Sequence, residues 1–191
     1  TATVATPSVR FMQAVSKLPN LTRLYLDFAG REMSYPSARA IFDRIAHMTQ
    51  LKELSLSKIP HVPLKGFFLA LQTFKELRIL RLFTISPNIT ATMTDEGVTY
   101  IAKILPEFPQ LVEFRMRLHA GMVALSLRSF AEYTLPGNRT LRKLDLDGAA
   151  LDETDADLFI QKPDQQNFIL EELGVSTLGV PLHQFQKLKA L

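Results

Sequence analysis

Cysteine and tryptophan are both absent from this chain of 191 residues. Without cysteine, the protein has no disulfide framework, no thiolate metal ligand and no thiol nucleophile. Small or repetitive extracellular domains are often closed by disulfides, so the absence favours a reducing compartment. We therefore expect a cytoplasmic or nuclear protein, although secretion as a host-directed effector is not excluded by composition.

Long apolar runs and an excess of one charge are also lacking. No stretch approaches the roughly 20 apolar residues that span a bilayer, and the first ten residues lack the apolar core of a signal peptide. The 22 basic and 19 acidic residues leave a net charge of only +3. Without a clustered basic patch, this balance does not indicate nucleic-acid binding. We expect a single domain over residues 1–191, belonging to a longer protein, with no membrane span.

One short pattern, present in six copies, organises the chain. Each copy has leucine at position 1, leucine or phenylalanine at position 4 and an apolar residue at position 6. The copies begin at Leu21, Leu51, Leu77, Leu111, Leu141 and Leu170. Their starts are about 30 residues apart, and a recurring period of this length indicates a solenoid of stacked units.

Each unit reads as a short strand followed by a helix. Alternation in the strand points positions 1, 4 and 6 inward and positions 3 and 5 outward. Apolar residues at helical spacing then predict one buried helix face per unit. These faces are Phe11, Ala14, Val15 and Leu18; Ala38, Ile41, Phe42 and Ile45; Leu64, Phe67, Phe68 and Leu71; Val98, Ile101, Ala102 and Leu105; and Leu127, Phe130, Ala131 and Leu135. The first helix is expected to precede every strand.

The repeats resemble the leucine-rich repeat superfamily, and within it the ribonuclease-inhibitor-like members. Residues 94–105 resemble the helix of that family, with Gly97 and Ala102 at its small positions, and residues 141–159 resemble a strand-to-helix unit. The resemblance implies an α/β horseshoe of about six repeats, with a parallel sheet on the concave face and α-helices on the convex face. It implies little about function, because unrelated proteins share this scaffold.

Arginines and apolar residues gather at outward positions of the middle strands, a composition typical of protein-interface hot spots. The predicted partner-binding residues are Tyr25, Arg78, Ile79, Arg81, Phe83, Arg115, Arg117 and Leu118. Strand register places Arg115 beside Asp145 and Arg117 beside Asp147, where ion pairs of small energetic value are expected.

Arg78 and Arg81 are predicted to differ from these two arginines, because their equivalent neighbours are Lys52 and Ser55. An uncompensated Arg78/Arg81 pair beside Phe83 would suit an acidic, partly apolar segment of a partner protein. A second candidate contact element is the insertion at residues 86–91.

The leading functional hypothesis is a protein–protein interaction module, such as the recognition domain of an adaptor, receptor or effector. The family resemblance also allows a GTPase-activating type of regulator. Binding to nucleic acid or another anionic surface through the central arginines is a third hypothesis, opposed by acidic residues on the same face. We expect no enzyme activity, cofactor or metal. The four histidines lack ligand spacing, and neither a Gly-rich phosphate loop nor a Gly-x-Ser-x-Gly elbow is present.

Overall fold

In the computed structural model of the protein, one parallel sheet joins seven strands in their chain order. The structure describes residues 1–5, 7–28, 34–58, 69, 71–83, 95–117, 128–150, 157 and 169–176. Within these residues the strands are β1 Ala2–Ala5, β2 Arg23–Asp27, β3 Glu53–Ser57, β4 Ile79–Phe83, β5 Glu113–Arg117, β6 Lys143–Ala150 and β7 Glu172–Ser176. The chain is therefore an α/β protein in which each strand pairs with the next one along the sequence.

Strands β2 to β7 coincide with the six leucine patterns, and their register aligns equal positions. Leu54 lies opposite Leu24 on one side and Leu80 on the other. Each position-2 carbonyl also accepts the N–H groups of positions 2 and 3 in the next unit: Thr22 O, for example, accepts from Lys52 N (2.8 Å) and Glu53 N (3.0 Å). The same pair of bonds recurs at the next four unit boundaries, from the carbonyls of Lys52, Arg78, Val112 and Arg142. The units thus stack through the same backbone atoms.

Strand β1 corrects one prediction, because it precedes the first helix. Ala2 lies opposite Leu24 and Ala5 opposite Asp27. Residues 2–5 lack the leucine pattern, so this strand was not predicted from the sequence. An edge strand has only one neighbour to pair with, and its β-branched Thr3 and Val4 suit extended backbone.

The helices are α1 Val9–Val15, α2 Tyr35–Ala46 and α3 Asp95–Ile104, which runs into a 3₁₀ turn at Leu105–Glu107. A π-helical turn, Phe130–Thr134, leads into the short α4, Leu135–Gly137. No helix in these described ranges is long and apolar enough to cross a membrane.

Most of the predicted helix faces that can be checked are buried. All four residues of the α2 face and all four of the α3 face are buried, and so are Phe130, Ala131 and Leu135. The predicted buried face of α1 is wrong, because the helix ends at Val15. Leu18 lies beyond the helix and is 49% exposed, while Met12, which was not predicted, is fully buried. Residues 64, 67, 68 and 127 lie outside the described residues.

A further buried position, three residues before the pattern leucine in the units of β3 to β6, was not predicted from the sequence. It holds Met48, Phe74 and Phe108, which are at most 1% exposed. In the β6 unit the same position is Asn138, whose Oδ1 accepts the N–H groups of Thr140 (2.8 Å) and Leu141 (2.5 Å). The turn before β6 is therefore closed by a side-chain amide.

One apolar core lies on a single side of the sheet. It joins the residues at strand positions 4 and 6 to the buried helix faces. Phe28 stacks on Phe42 (5.9 Å between ring centroids) and Phe114 on Phe130 (6.1 Å). The opposite side of the sheet, which carries the side chains of positions 3, 5 and 7, is called the outer face below.

Candidate functional site

Arg81 occupies the middle of the outer face, at position 5 of β4. Its guanidinium donates to two carboxylates: Nη1 lies 2.6 Å from Glu53 Oε1, and Nε lies 2.7 Å from Glu113 Oε1. The prediction that Arg81 is uncompensated is therefore wrong. The two acids stand at position 3 of the neighbouring strands, and a long side chain reaches such diagonal neighbours across a sheet.

The same two carboxylates bind further donors. Glu53 accepts a hydrogen bond from Tyr25 and lies 3.7 Å from Arg23 Nε. Glu113 Oε1 also accepts from Arg115 Nε at 2.8 Å. Charges of opposite sign thus alternate from β2 to β5. We call this set, Arg23, Tyr25, Glu53, Arg81, Glu113 and Arg115, the central network.

Burial sets the electrostatics of the central network. The side chains of Glu53 and Glu113 are only 9% and 10% exposed, and that of Arg81 is 25% exposed. Burial disfavours the charged form of Glu113, but hydrogen bonds and charges from Arg81 and Arg115 outweigh it, so the pKa of Glu113 lies below its usual value. For Arg81, burial is likewise outweighed by the bonds to Glu113 and Glu53, and its pKa is raised.

Tyr25 lies at one edge of the central network and joins it through its hydrogen bond to Glu53. Burial and the hydrogen bond to Glu53 both raise the pKa of the Tyr25 hydroxyl. The side chain is half-buried at position 5 of β2, with Ser55 beside it in the register. Its polar end is therefore directed to Glu53, and only part of the ring is open to solvent.

The remaining predicted arginines form the expected cross-strand pairs. The register places Arg115 opposite Asp145 and Arg117 opposite Asp147. Arg117 Nε lies 2.6 Å from Asp147 Oδ2, whereas Arg115 Nη1 is 3.7 Å from Asp145 Oδ2. Burial raises the pKa of Asp145; the charge of Arg115 opposes this rise, and that of Asp147 adds to it.

Two apolar side chains flank Arg81 on its own strand. Ile79 and Phe83 occupy positions 3 and 7 of β4, and both are half-buried. The register places Ile79 between Glu53 and Glu113. The ion-paired Arg81 therefore separates the two apolar side chains of β4, and ion-paired carboxylates border Ile79 on both sides. Leu118 and the insertion at residues 86–91 lie outside the described residues.

Arg78 differs from the other three arginines. Its side chain is exposed, and no carboxylate of the described residues lies within ion-pair distance of it. Lys52 occupies the same position, position 2, in the preceding unit. It is likewise exposed and unpaired within the described part of the chain. Positive charge without a partner therefore lies at the start of the strands, whereas the centre of the outer face is neutralised.

Sequence reasoning missed Glu53 and Glu113, although their signal was present. Both stand at position 3, one on each side of Ile79, so a comparison of diagonal neighbours would have found them. Among the described residues, no group of three or more histidine, aspartate or glutamate side chains is placed to hold a metal ion.

Neither the protein-family models nor the curated proteins compared with this chain match it. The leucine-rich repeat resemblance therefore rests on the periodicity of the chain itself and stays an interpretation.

Proposed function

We propose that this chain is a leucine-rich repeat solenoid of horseshoe shape, with about six repeats, and that it acts as a protein–protein interaction module. Parallel strands joined in chain order, with helices packed on one side, support the architecture. Strands need about 4.8 Å each and helices about 10 Å, so such a stack curves with the outer face on its concave side. A cytoplasmic or nuclear recognition domain of an adaptor, receptor or effector fits this proposal.

The observation that carries the proposal is the apolar pair Ile79 and Phe83, set in a frame of ion-paired side chains. A partly apolar centre with a polar border is the usual arrangement of a protein interface. The central network fixes the side chains around Ile79 before any partner arrives, so less conformational entropy is lost on binding. We propose direct partner contacts for Ile79 and Phe83, with Arg115 and Arg117 at the border.

Arg81 and Tyr25 take a different role in this proposal from the one their sequence positions suggested. Arg81 is bonded to Glu53 and Glu113, and Tyr25 to Glu53. Both therefore act as positioning residues that hold the surface in place. Their replacement would disturb binding through the fold as well as through lost contacts, so neither is a suitable first probe of the interface.

The test is capture of partner proteins from a lysate, followed by binding measurements with the purified partner. We expect a partner retained by the parent protein to bind Ile79→Ala/Phe83→Ala at least about ten-fold more weakly, as hot-spot truncations do. The matched control is Phe11→Ala/Leu18→Ala, which removes two exposed apolar side chains (38% and 49% exposed) in the α1 region.

Equal affinity for the parent and Ile79→Ala/Phe83→Ala would reject the outer face as the binding surface. An equal loss in the control would point to a general effect of surface truncation. Ile79 and Phe83 are half-buried, so their truncation can also lower stability. Before binding is compared, both variants must therefore be shown to be folded by a urea denaturation midpoint close to that of the parent.

The central network weakens one alternative hypothesis. Arg81, Arg115 and Arg117 are each ion-paired, so binding of nucleic acid would have to break those pairs or rely on few phosphate contacts. No described residue favours a GTPase-activating regulator over other repeat proteins. That hypothesis predicts a faster rate of GTP hydrolysis at substoichiometric amounts of this chain.

A further inference from the structure

Uncompensated positive charge on this sheet is confined to one place, within the described residues. The residues at position 2, immediately before strands β2 to β7, form a row that reads Thr22, Lys52, Arg78, Val112, Arg142 and Glu171. Arg142 is ion-paired with Glu171 in the next unit. Lys52 and Arg78 are exposed and have no such partner in the described part of the chain.

Lys52 and Arg78 are direct neighbours. Arg78 N donates to Lys52 O at 2.8 Å, so the two backbones are about one strand spacing, ~4.8 Å, apart. Like charges placed side by side on adjacent strands repel each other. An acidic group lying between them would relieve this repulsion, and both side chains are long enough to reach it from solvent. Half-buried Thr22 and Val112 border the pair in the same row.

We propose that Lys52 and Arg78 bind acidic side chains of a protein segment whose apolar residues lie on Ile79 and Phe83. This inference rests on the proposed function, and it names the chemistry of the partner at that surface. The N–H groups of Arg78 and Ile79 both donate to Lys52 O (2.8 and 3.1 Å), so regular strand alternation is interrupted here and the charged and apolar parts of the site adjoin before β4. Ile79 and Phe83 are four residues apart on one strand, about 13 Å at ~3.3 Å per residue.

The geometry describes the bound segment. It carries one or two Asp or Glu residues next to a pair of apolar side chains that can span about 13 Å. An extended stretch of roughly five residues meets that distance. Specificity for acid comes from Lys52 and Arg78, because the other arginines on this surface already have carboxylates of the chain itself.

A protein segment fits this surface better than a nucleic acid does. Among the described residues of the sheet, only two adjacent cations lack an ion pair, whereas nucleic-acid affinity rises with the number of phosphates neutralised. Exposed acidic side chains at Asp147, Glu171 and Glu172 would repel a phosphate backbone that followed the sheet. The apolar Ile79 and Phe83 have no phosphate to contact.

The experiment is selection of a displayed library of random peptides, each about 12 residues long, on the whole chain. We expect enrichment of Asp or Glu beside Leu, Ile, Phe or Tyr. A selected peptide should bind Lys52→Glu/Arg78→Glu at least about ten-fold more weakly than the parent, and its affinity for the parent should fall as salt rises. Selection repeated on that variant should enrich Lys or Arg in place of acid.

A matched control is Arg10→Glu/Lys17→Glu. It makes the same change in net charge at two exposed cations that also lack ion pairs within the described residues. We expect it to leave peptide affinity within about three-fold of the parent. Lys52→Gln/Arg78→Gln is the milder second variant, in case two new acids next to Glu53 prevent folding; it should weaken binding in the same direction.

Three results would overturn the inference, and they differ in what they leave standing. Peptides that lose affinity for Ile79→Ala/Phe83→Ala but not for the Lys52/Arg78 variants would keep the proposed function and reject this acid site. Peptides insensitive to both sets of variants would reject both. In the third result, no acidic peptides are enriched, but a duplex DNA probe binds and its binding depends on Lys52 and Arg78. The partner at this site would then be a nucleic acid and not a protein segment.

Discussion

Arg81 and Arg117 each hold a carboxylate oxygen at 2.6 Å, yet they belong to different kinds of surface. Around Arg81, on β3 to β5, the carboxylates are shared between donors and are at most 10% exposed. Arg117 and Asp147 form a simple pair whose side chains are 53% and 54% exposed. Equal distances therefore do not imply equal contributions. Burial and sharing distinguish a structural network from a solvated ion pair.

The pairs toward β7 resemble that of Arg117. Lys143 lies 2.5 Å from Glu172, and their side chains are 36% and 58% exposed. Such pairs tolerate the loss of one partner, since water can solvate the other. The central carboxylates have little access to water and depend on their arginines. The ion pairs of the middle strands therefore hold their side chains in one arrangement, while the exposed ion pairs of the C-terminal strands can break and re-form at little cost.

The largest effect is expected from Arg81→Ala, which leaves Glu53 and Glu113 buried without their shared partner. Loss of one member of a buried ion pair costs about 3–5 kcal/mol, and the residual exposure of Arg81 places our expectation near the lower limit, about 3 kcal/mol. The measurement is the free energy of unfolding in urea at pH 7.

Rescue tests the reason given for this loss. Combining Arg81→Met with Glu53→Gln and Glu113→Gln removes the three most buried charges of the central network and should restore at least half of the lost stability. A loss below about 1 kcal/mol in Arg81→Ala would show that the central network behaves like an exposed pair, and the comparison drawn above would fail.

A steric change at the other end of the sheet should have the next largest effect. A Cβ on Gly174 would lie 2.6 Å from Asp145 Oδ1 and 2.9 Å from its Cγ, so the Asp145 side chain must move. Overpacking of this kind costs about 1–3 kcal/mol. The nearest crowding atoms end the Asp145 side chain, which is 35% exposed and can rotate, so we expect Gly174→Ala to lower the free energy of unfolding by about 1 kcal/mol, the lower limit of this range.

Two further variants separate crowding from a general intolerance of alanine at position 5. Asp145→Ala/Gly174→Ala should recover most of the loss, because the crowding atoms are removed. Ser55→Ala, at position 5 of β3, should change stability by less than about 0.5 kcal/mol, as most substitutions away from special contacts do. Equal losses in the single and double variants would contradict the steric explanation.

Acid titration distinguishes the two regions, because the pKa of Glu113 is lowered and that of Asp145 is raised. The pKa of Glu113 is lowered below the value of about 4.3 that an unfolded glutamate has. Its contribution is therefore present above about pH 4.3 and lost as pH falls through the folded pKa. Burial raises the pKa of Asp145 above about 3.9, so its contribution is present below that pH and lost as pH rises through its folded pKa.

The corresponding variants should change the acid limb in opposite directions. Glu113→Gln should flatten the fall in stability between pH 5 and pH 3, and Asp145→Asn should steepen it. Urea midpoints measured at half-unit steps of pH would decide this. If both variants change the slope in the same direction, Glu113 and Asp145 share one environment and the contrast between the two regions is wrong.

Much of this fold could be predicted from local pattern, and the reason is physical. Position 4 of each strand and the faces of α2 and α3 are set by hydrophobic periods that a chain segment carries by itself. Strand β1 could not be predicted, because its pairing depends on β2 and residues 2–5 have no leucine pattern. The buried face of α1 was misplaced because the pattern ran on past the end of the helix.

The site was harder to predict than the fold. Register gave the neighbours of Arg115 and Arg117 correctly, since those contacts run straight across the sheet. The partners of Arg81 lie two positions earlier on the flanking strands, and only the reach of the side chain selects them. Charge compensation in a sheet therefore has to be read over diagonal neighbours as well as direct ones.

The smallest expected effect belongs to the exposed pair Arg117–Asp147. A double-mutant cycle of Arg117→Ala and Asp147→Ala should give a coupling energy of about 0.2–1 kcal/mol, because both side chains remain largely solvated. The coupling should shrink as salt rises to about 1 M, where the Debye length falls to about 3 Å. A coupling above about 2 kcal/mol that persists in high salt would make this pair equivalent to the Arg81 contacts. Only the weak, salt-sensitive result fits the solvated ion pair that the proposal places at the border of the interface.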